Sequence, residues 1–169
     1  MEKDVNVTKS FFNKLTALLM AVLMLVSAFP VSAFAVDAST PVSLNGSTFM
    51  QGDAVKAEFY SSGNGSEWYG LYYADATPAS GNSIAWGYPA VLKSGSDIAS
   101  YEMWKALDND ADADVNNGDA FYYQSSDGKW HLSPGKYKFV YFADGSYTSF
   151  TESKVAYFDV TAGSGSTPD

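Results

Sequence analysis

The sequence predicts an all-β chain: an immunoglobulin-like antiparallel β-sandwich of about seven strands, preceded by a helical signal peptide. Three observations lead there. Short runs of alternating or aromatic-rich residues recur along the chain, with turn signals every ~8–15 residues. Clusters of Gly, Asn, Asp, Ser and Pro separate them. Beyond the first thirty-five residues, no amphipathic run is long enough for the helix of a βαβ crossover.

The N-terminal segment stands apart. Lys3, Lys9 and Lys14 give it a positive start, and LTALLMAVLMLVSAF runs apolar from Leu15 to Phe29. Pro30 ends that run, and Ala33 and Ala35 put small residues where a signal peptidase reads. The apolar run is about 15 residues, whereas a membrane span needs about 20. Residues 1–35 are therefore expected to be a signal peptide cleaved after Ala35. Residues 36–161 are expected to form the domain, and 162–169, rich in Gly and Ser, a linker or tail.

Within the domain, Val55, Ala57 and Phe59 alternate with Lys56, Glu58 and Tyr60, the period of a half-buried strand. Gly63-Asn64-Gly65 turns the chain into WYGLYY, Trp68 to Tyr73, in which Tyr69, Leu71 and Tyr73 are expected to face inward. Gly70 then points outward and Trp68 covers the sheet edge. Ser83 to Tyr88 is a third strand. Ser100 to Leu107 reads equally as a short helix or a strand. Ala120 to Gln124 and Trp130 to Leu132 flank the turn Ser126-Asp127-Gly128-Lys129. Gly135 to Phe142 is the clearest strand, and Lys154 to Val160 closes the domain.

Three segments in order carry a resemblance. They are Glu67-Trp68-Tyr69-Gly70-Leu71-Tyr72, then Ser83-Ile84-Ala85-Trp86, then Leu132-Ser133-Pro134-Gly135-Lys136-Tyr137-Lys138-Phe139 continuing through Tyr141-Phe142-Ala143-Asp144-Gly145. Together they resemble the SKICH-like group of immunoglobulin-like domains. The resemblance covers roughly Ala54 to Val160 and implies a fold and not a function. Similar domains serve as accessory modules of secreted bacterial hydrolases and surface proteins. The acidic stretch near Asp108 departs from the pattern. Physics supports the late segment independently: Pro134 and Gly135 suit a turn, and Tyr137 can return its hydroxyl to upstream backbone as in a tyrosine corner.

Composition narrows the function. There is no cysteine, so an exported chain must rely on its core without disulfides. There is no arginine, and the net charge is −9. Nucleic acids and anionic membranes both need clustered cations, so neither is an expected partner. Catalysis finds little to work with. His131 is the only histidine and is expected to pack at or near the surface. No Cys–His pair, His-rich zinc site or GxSxG elbow exists. Glu58, Glu67, Glu102 and Glu152 could supply the carboxylate pair of a glycosidase, but a small sandwich rarely builds a deep cleft. The chain is expected not to be an enzyme.

The aromatic residues say more: 4 Trp, 12 Tyr and 11 Phe. They can fill the core, or exposed rings can stack on sugars. Trp104, Trp130, Tyr88, Tyr122 and Tyr147 are the candidate carbohydrate-binding residues. The stretch DNDADADVNNGDAF, Asp108 to Phe121, poses a second choice. Calcium loops place oxygens at positions 1, 3, 5, 7, 9 and 12. Counted from Asp108, these are Asp108, Asp110, Asp112, Asp114, Asn116 and Asp119. Ala113 stands where such loops need Gly, and Asp119 is shorter than the usual Glu. The stretch is either a weak calcium site or a solvated acidic loop.

Two functions are compatible with all this. The first is a secreted, non-catalytic immunoglobulin-like module that acts as spacer, adhesion or interaction domain of an extracellular or cell-surface bacterial protein. The second is a carbohydrate-binding module of a secreted polysaccharide-degrading enzyme. The partners would be other domains of a longer chain or a cell-surface ligand such as a glycan. The three-lysine signal is similar to those of Gram-positive exports.

Overall fold

Strand pairing organises the chain. The computed structural model describes residues 36–108 and 111–163; the expected signal peptide, most of the Gly/Ser tail, and Asp110 lie outside the described residues. In chain order the elements are β1 (Val42–Leu44), β2 (Thr48–Met50), β3 (Lys56–Phe59), β4 (Trp68–Tyr73), β5 (Ala85–Gly87), β6 (Ser96–Asp97), α1 (Tyr101–Leu107), β7 (Ala113–Val115), β8 (Phe121–Gln124), β9 (Lys129–Leu132), β10 (Gly135–Phe142) and β11 (Val155–Thr161). The fold is all-β, with several antiparallel sheets. Six strands form the largest, in the order β2-β11-β10-β4-β5-β7; β1-β3-β6 form a second, and β8-β9 a hairpin. All pairings are antiparallel except β2 with β11, which is parallel. Among the described residues no helix is long and apolar enough to cross a membrane.

The number of strands exceeds the expected seven because several have only two or three residues. Such segments carry too little periodicity to be read locally, and pairing with β3 and β11 makes β1 and β2 extended. The ambiguous Ser100–Leu107 segment is a helix from Tyr101. Glu, Met, Lys, Ala and Leu favour that state, and the turn buries Trp104 completely.

The main core cluster draws residues from both the three-stranded and the six-stranded sheet. Val42, Leu44, Val55 and Ala57 meet Tyr69, Leu71, Phe139, Tyr141, Phe158 and Trp104. The alternation expected in β4 is observed: Tyr69 and Leu71 enter this core, while Trp68 and Tyr72 belong to a second cluster with Val140 and Phe142. Trp68 is not an edge cover. It is buried on the far face of the sheet, stacked on Phe142 with centroids 3.9 Å apart. Tyr73 shares the inner parity but sits where the core thins, 37% exposed, stacked on Tyr137.

The expected tyrosine corner is present. Tyr137 donates its hydroxyl to the Ser133 carbonyl at 2.6 Å, across the Pro134-Gly135 turn. That bond satisfies a carbonyl at the point where the chain enters β10.

Candidate functional site

The far face of the six-stranded sheet is the unusual feature. Cross-strand register places Asp114, Trp86, Gly70, Val140 and Val155 in one row across five strands. Trp68 and Phe142 form the neighbouring row. Residues opposite one another share a face, so this face is largely apolar and aromatic although it lies away from the main core, with Asp114 and the buried Lys138 among its charged members. Gly70 makes room for it. A Cβ there would lie 2.6 Å from Cε2 of Tyr72, whose ring folds across the glycine.

The chain after β10 crosses this face. Tyr147 begins a short 3₁₀ turn after Gly145 and meets Trp68 edge-on at 5.2 Å. Trp68 also meets Trp86 edge-on at 6.4 Å, and Trp86 meets Tyr88 at 5.6 Å. Trp68, Trp86, Tyr88, Gly145 and Tyr147 line a slot of about 150 Å³. A second groove, of about 500 Å³, shares Tyr88 and is lined by Ser61, Gly63, Gly65, Glu67, Pro89, Ala90 and Asp112. The two clefts thus meet at Tyr88; aromatic rings line the first, and polar side chains such as Ser61, Glu67 and Asp112 stand beside Pro89 and Ala90 in the second.

Glu67, just before Trp68 in sequence, lines the second groove from a buried position. It is 1% exposed. It accepts hydrogen bonds from Ser61 Oγ (2.5 Å), the Ser62 amide (3.0 Å) and hydroxyl (2.9 Å), the Gly63 amide (3.1 Å) and Tyr141 Oη (2.7 Å). Gly63 reaches its part in this cradle at φ +76°, a conformation that favours glycine. Burial pushes the Glu67 pKa up, but these donors outweigh it and hold the carboxyl at about 2. Glu67 is therefore an ionised structural anchor with its oxygens already engaged. It is unsuited to general acid work at neutral pH.

The sequence-predicted aromatics separate into three places. Tyr88 and Tyr147 come together in the slot. Trp104 is corrected: it is 0% exposed, with its indole N–H donated to the Ile98 carbonyl at 3.1 Å, so no ligand can reach its face. Trp130 is 42% exposed on the β8–β9 hairpin, near Tyr101 and Tyr123. Tyr122 is half-buried on that hairpin and donates to Gln124 at 2.9 Å. Trp68 and Trp86 were missed as site residues. The available signal was WYGLYY itself: large aromatics at both parities of one strand imply that both faces of the sheet are covered.

His131 is buried rather than superficial, 5% exposed, with Nε2 2.8 Å from Asp127 Oδ2. It lines neither cleft.

The acidic stretch does not form a ring among its described residues. Its alternation is that of an edge strand: in β7, Ala113 is buried and Asp114 takes the opposite parity, paired with Trp86. Asp108 and Asp114 lie close enough for each to shift the other's ionisation. Lys105, 3.0 Å away, lowers the Asp108 pKa, and burial followed by the Asp108 contact raises that of Asp114. Asp112 lines the polar groove instead. Asn116 donates its amide to Ser83 at 2.7 Å, and Asp119 is exposed in a 3₁₀ turn. No group of three or more His or acidic side chains placed to hold a metal occurs among the described residues.

No known protein family, curated protein or solved structure matches the chain.

Proposed function

We propose that the chain is a secreted, non-catalytic interaction module of a bacterial cell-surface or extracellular protein, and that the aromatic slot on the far face of its large sheet, with the groove that shares Tyr88, is the ligand site. The observation that carries this reading is the slot formed by Trp68, Trp86, Tyr88 and Tyr147 beside a polar groove. An apolar cleft with a few polar groups at its edge is the usual form of a small-ligand site. Glycan is the ligand class this composition favours: aromatic faces pack on the C–H faces of sugars, and adjoining hydroxyls, amides and a carboxylate serve their hydroxyl groups.

An immunoglobulin-like sandwich of the SKICH-like kind belongs to the same proposal. Its support is the core shared by the three- and six-stranded sheets, the Tyr137 corner, and the quoted sequence segments. Export through cleavage after Ala35 completes it, and mass spectrometry of the secreted chain should then find Val36 first. The test of the ligand site is retention of the chain by immobilised polysaccharides in affinity gels. Retention that Tyr147→Ala removes supports the reading. No retention by any glycan leaves a plain spacer as the account of this chain.

A further inference from the structure

We propose that the aromatic slot receives a quaternary ammonium group carried by the ligand, so that the ligand is a glycan with a trimethylammonium-type substituent rather than an unmodified sugar. This rests on the reading that the slot is the ligand site. Flat sugar binding calls for an exposed, coplanar ring surface. Here the rings stand nearly at right angles: 86° for Trp68 and Trp86, 80° for Trp68 and Tyr147, and 86° for Trp86 and Tyr88. One face of Trp68 is covered by Phe142, so the rings bound the slot from several directions rather than as one flat platform, which suits a compact, roughly spherical group. The slot, about 150 Å³, is smaller than the ~300 Å³ at which whole-ligand pockets begin. It fits one substituent, while the adjoining groove of about 500 Å³ can take the sugar that bears it.

Electrostatics gives the sign of that substituent. Among the described residues, no lysine lines either cleft. The polar groove carries the Glu67 and Asp112 carboxylates, on a chain of net charge −9. Aromatic faces attract cations through their quadrupoles, Trp most strongly, and more so where water is excluded. The choice of a methylated cation over a primary ammonium follows from hydrogen bonding. A primary ammonium brings three N–H donors that need acceptors. The side chains lining the slot offer only the Tyr88 and Tyr147 hydroxyls as oxygen acceptors. A quaternary ammonium has no donors and leaves none unsatisfied.

The test titrates the full chain with choline and, in parallel, with 3,3-dimethyl-1-butanol, its uncharged isostere, following tryptophan fluorescence. Choline should give a saturable change at an affinity at least about tenfold above that of the isostere, the scale of a desolvated cation–π contact. Gly145→Leu provides the structural control. A Cβ on Gly145 meets nothing within 4 Å, so the variant should keep the wild-type melting temperature while losing choline binding. Equal affinity for choline and the isostere would overturn the inference, and so would full binding by Gly145→Leu. Glycan retention that choline does not compete away would overturn it too, while leaving the glycan site standing. Competition by choline supports both.

Discussion

Tyr141 on β10 donates its hydroxyl to Glu67 Oε2 at 2.7 Å, linking the central strand of the large sheet to the residue that opens β4. Glu67 lines the groove while Tyr141 belongs to the main core, and burial together with the neighbouring carboxylate raises the tyrosine pKa. With the Ser61–Gly63 cradle, this bond fixes where Trp68 begins and therefore where the aromatic slot stands.

Glu67 should dominate the acid limb of stability. Its pKa falls from 4.5 to about 2 on folding, so the folded state binds its proton more weakly than the unfolded one. Its contribution is full above pH 4.5 and lost as pH falls toward 2. The shift corresponds to about 3 kcal/mol. Urea titrations between neutral pH and pH 2 should show that loss in the wild type and a flatter profile in Glu67→Gln. Identical profiles would contradict the account.

Three tyrosine-to-phenylalanine changes should differ in sign. Tyr137 and Tyr141 lose bonds to Ser133 and Glu67, and each should cost about 1–2 kcal/mol. Tyr72 is fully buried, and its hydroxyl has no partner among the described residues. Tyr72→Phe should be neutral or stabilising by up to about 1 kcal/mol. Denaturant midpoints at unchanged m-value would read the order directly.

Gly70→Ala should destabilise by about 1–3 kcal/mol, since the new methyl meets the buried Tyr72 ring and overpacks the far face. Combining it with Tyr72→Ala should recover much of the loss attributable to Gly70→Ala. A double-mutant cycle with no coupling would show that the contact is not the cause.

Calcium of about 10 mM should leave the melting temperature unchanged. The described residues of the acidic stretch point to different partners: Asp108 to Lys105 and Asp114, Asn116 to Ser83, Asp112 to the groove. A site of millimolar affinity would instead stabilise by about 1.4–2.7 kcal/mol at that concentration and raise the midpoint by several degrees.

What the sequence revealed depended on how much of each signal was local. GKYKFVYF is an eight-residue run rich in aromatic and β-branched residues, and its strand, its Pro-Gly turn and the Tyr137 corner were all readable. In WYGLYY the inward set was readable, because the parity of Tyr69 and Leu71 follows from period two. Its aromatics at both parities also signalled a covered far face, but not that Tyr147 and Phe150, some eighty residues later, supply the cover over Trp68. Trp104 was misread as a surface ring because its segment suited helix and strand equally, and only the helix turns it into the core. The acidic stretch hid a short strand. Ala113-Asp114-Val115 has the alternation of a strand, and the surrounding aspartates masked it. Its pairing with β5 is a tertiary fact.

The central claim is that the ligand site is the slot on the far face and not the exposed hairpin patch around Trp130. The most direct measurement is affinity-gel retention on the best-retained polysaccharide for Trp86→Ala, Tyr147→Ala and Trp130→Ala, each with a melting curve to establish folding. The account predicts that folded Trp86→Ala and Tyr147→Ala lose retention by at least about tenfold, the loss of an aromatic contact of one to two kcal/mol or more, while Trp130→Ala keeps it. Loss of retention in Trp130→Ala with both slot variants retained would contradict it.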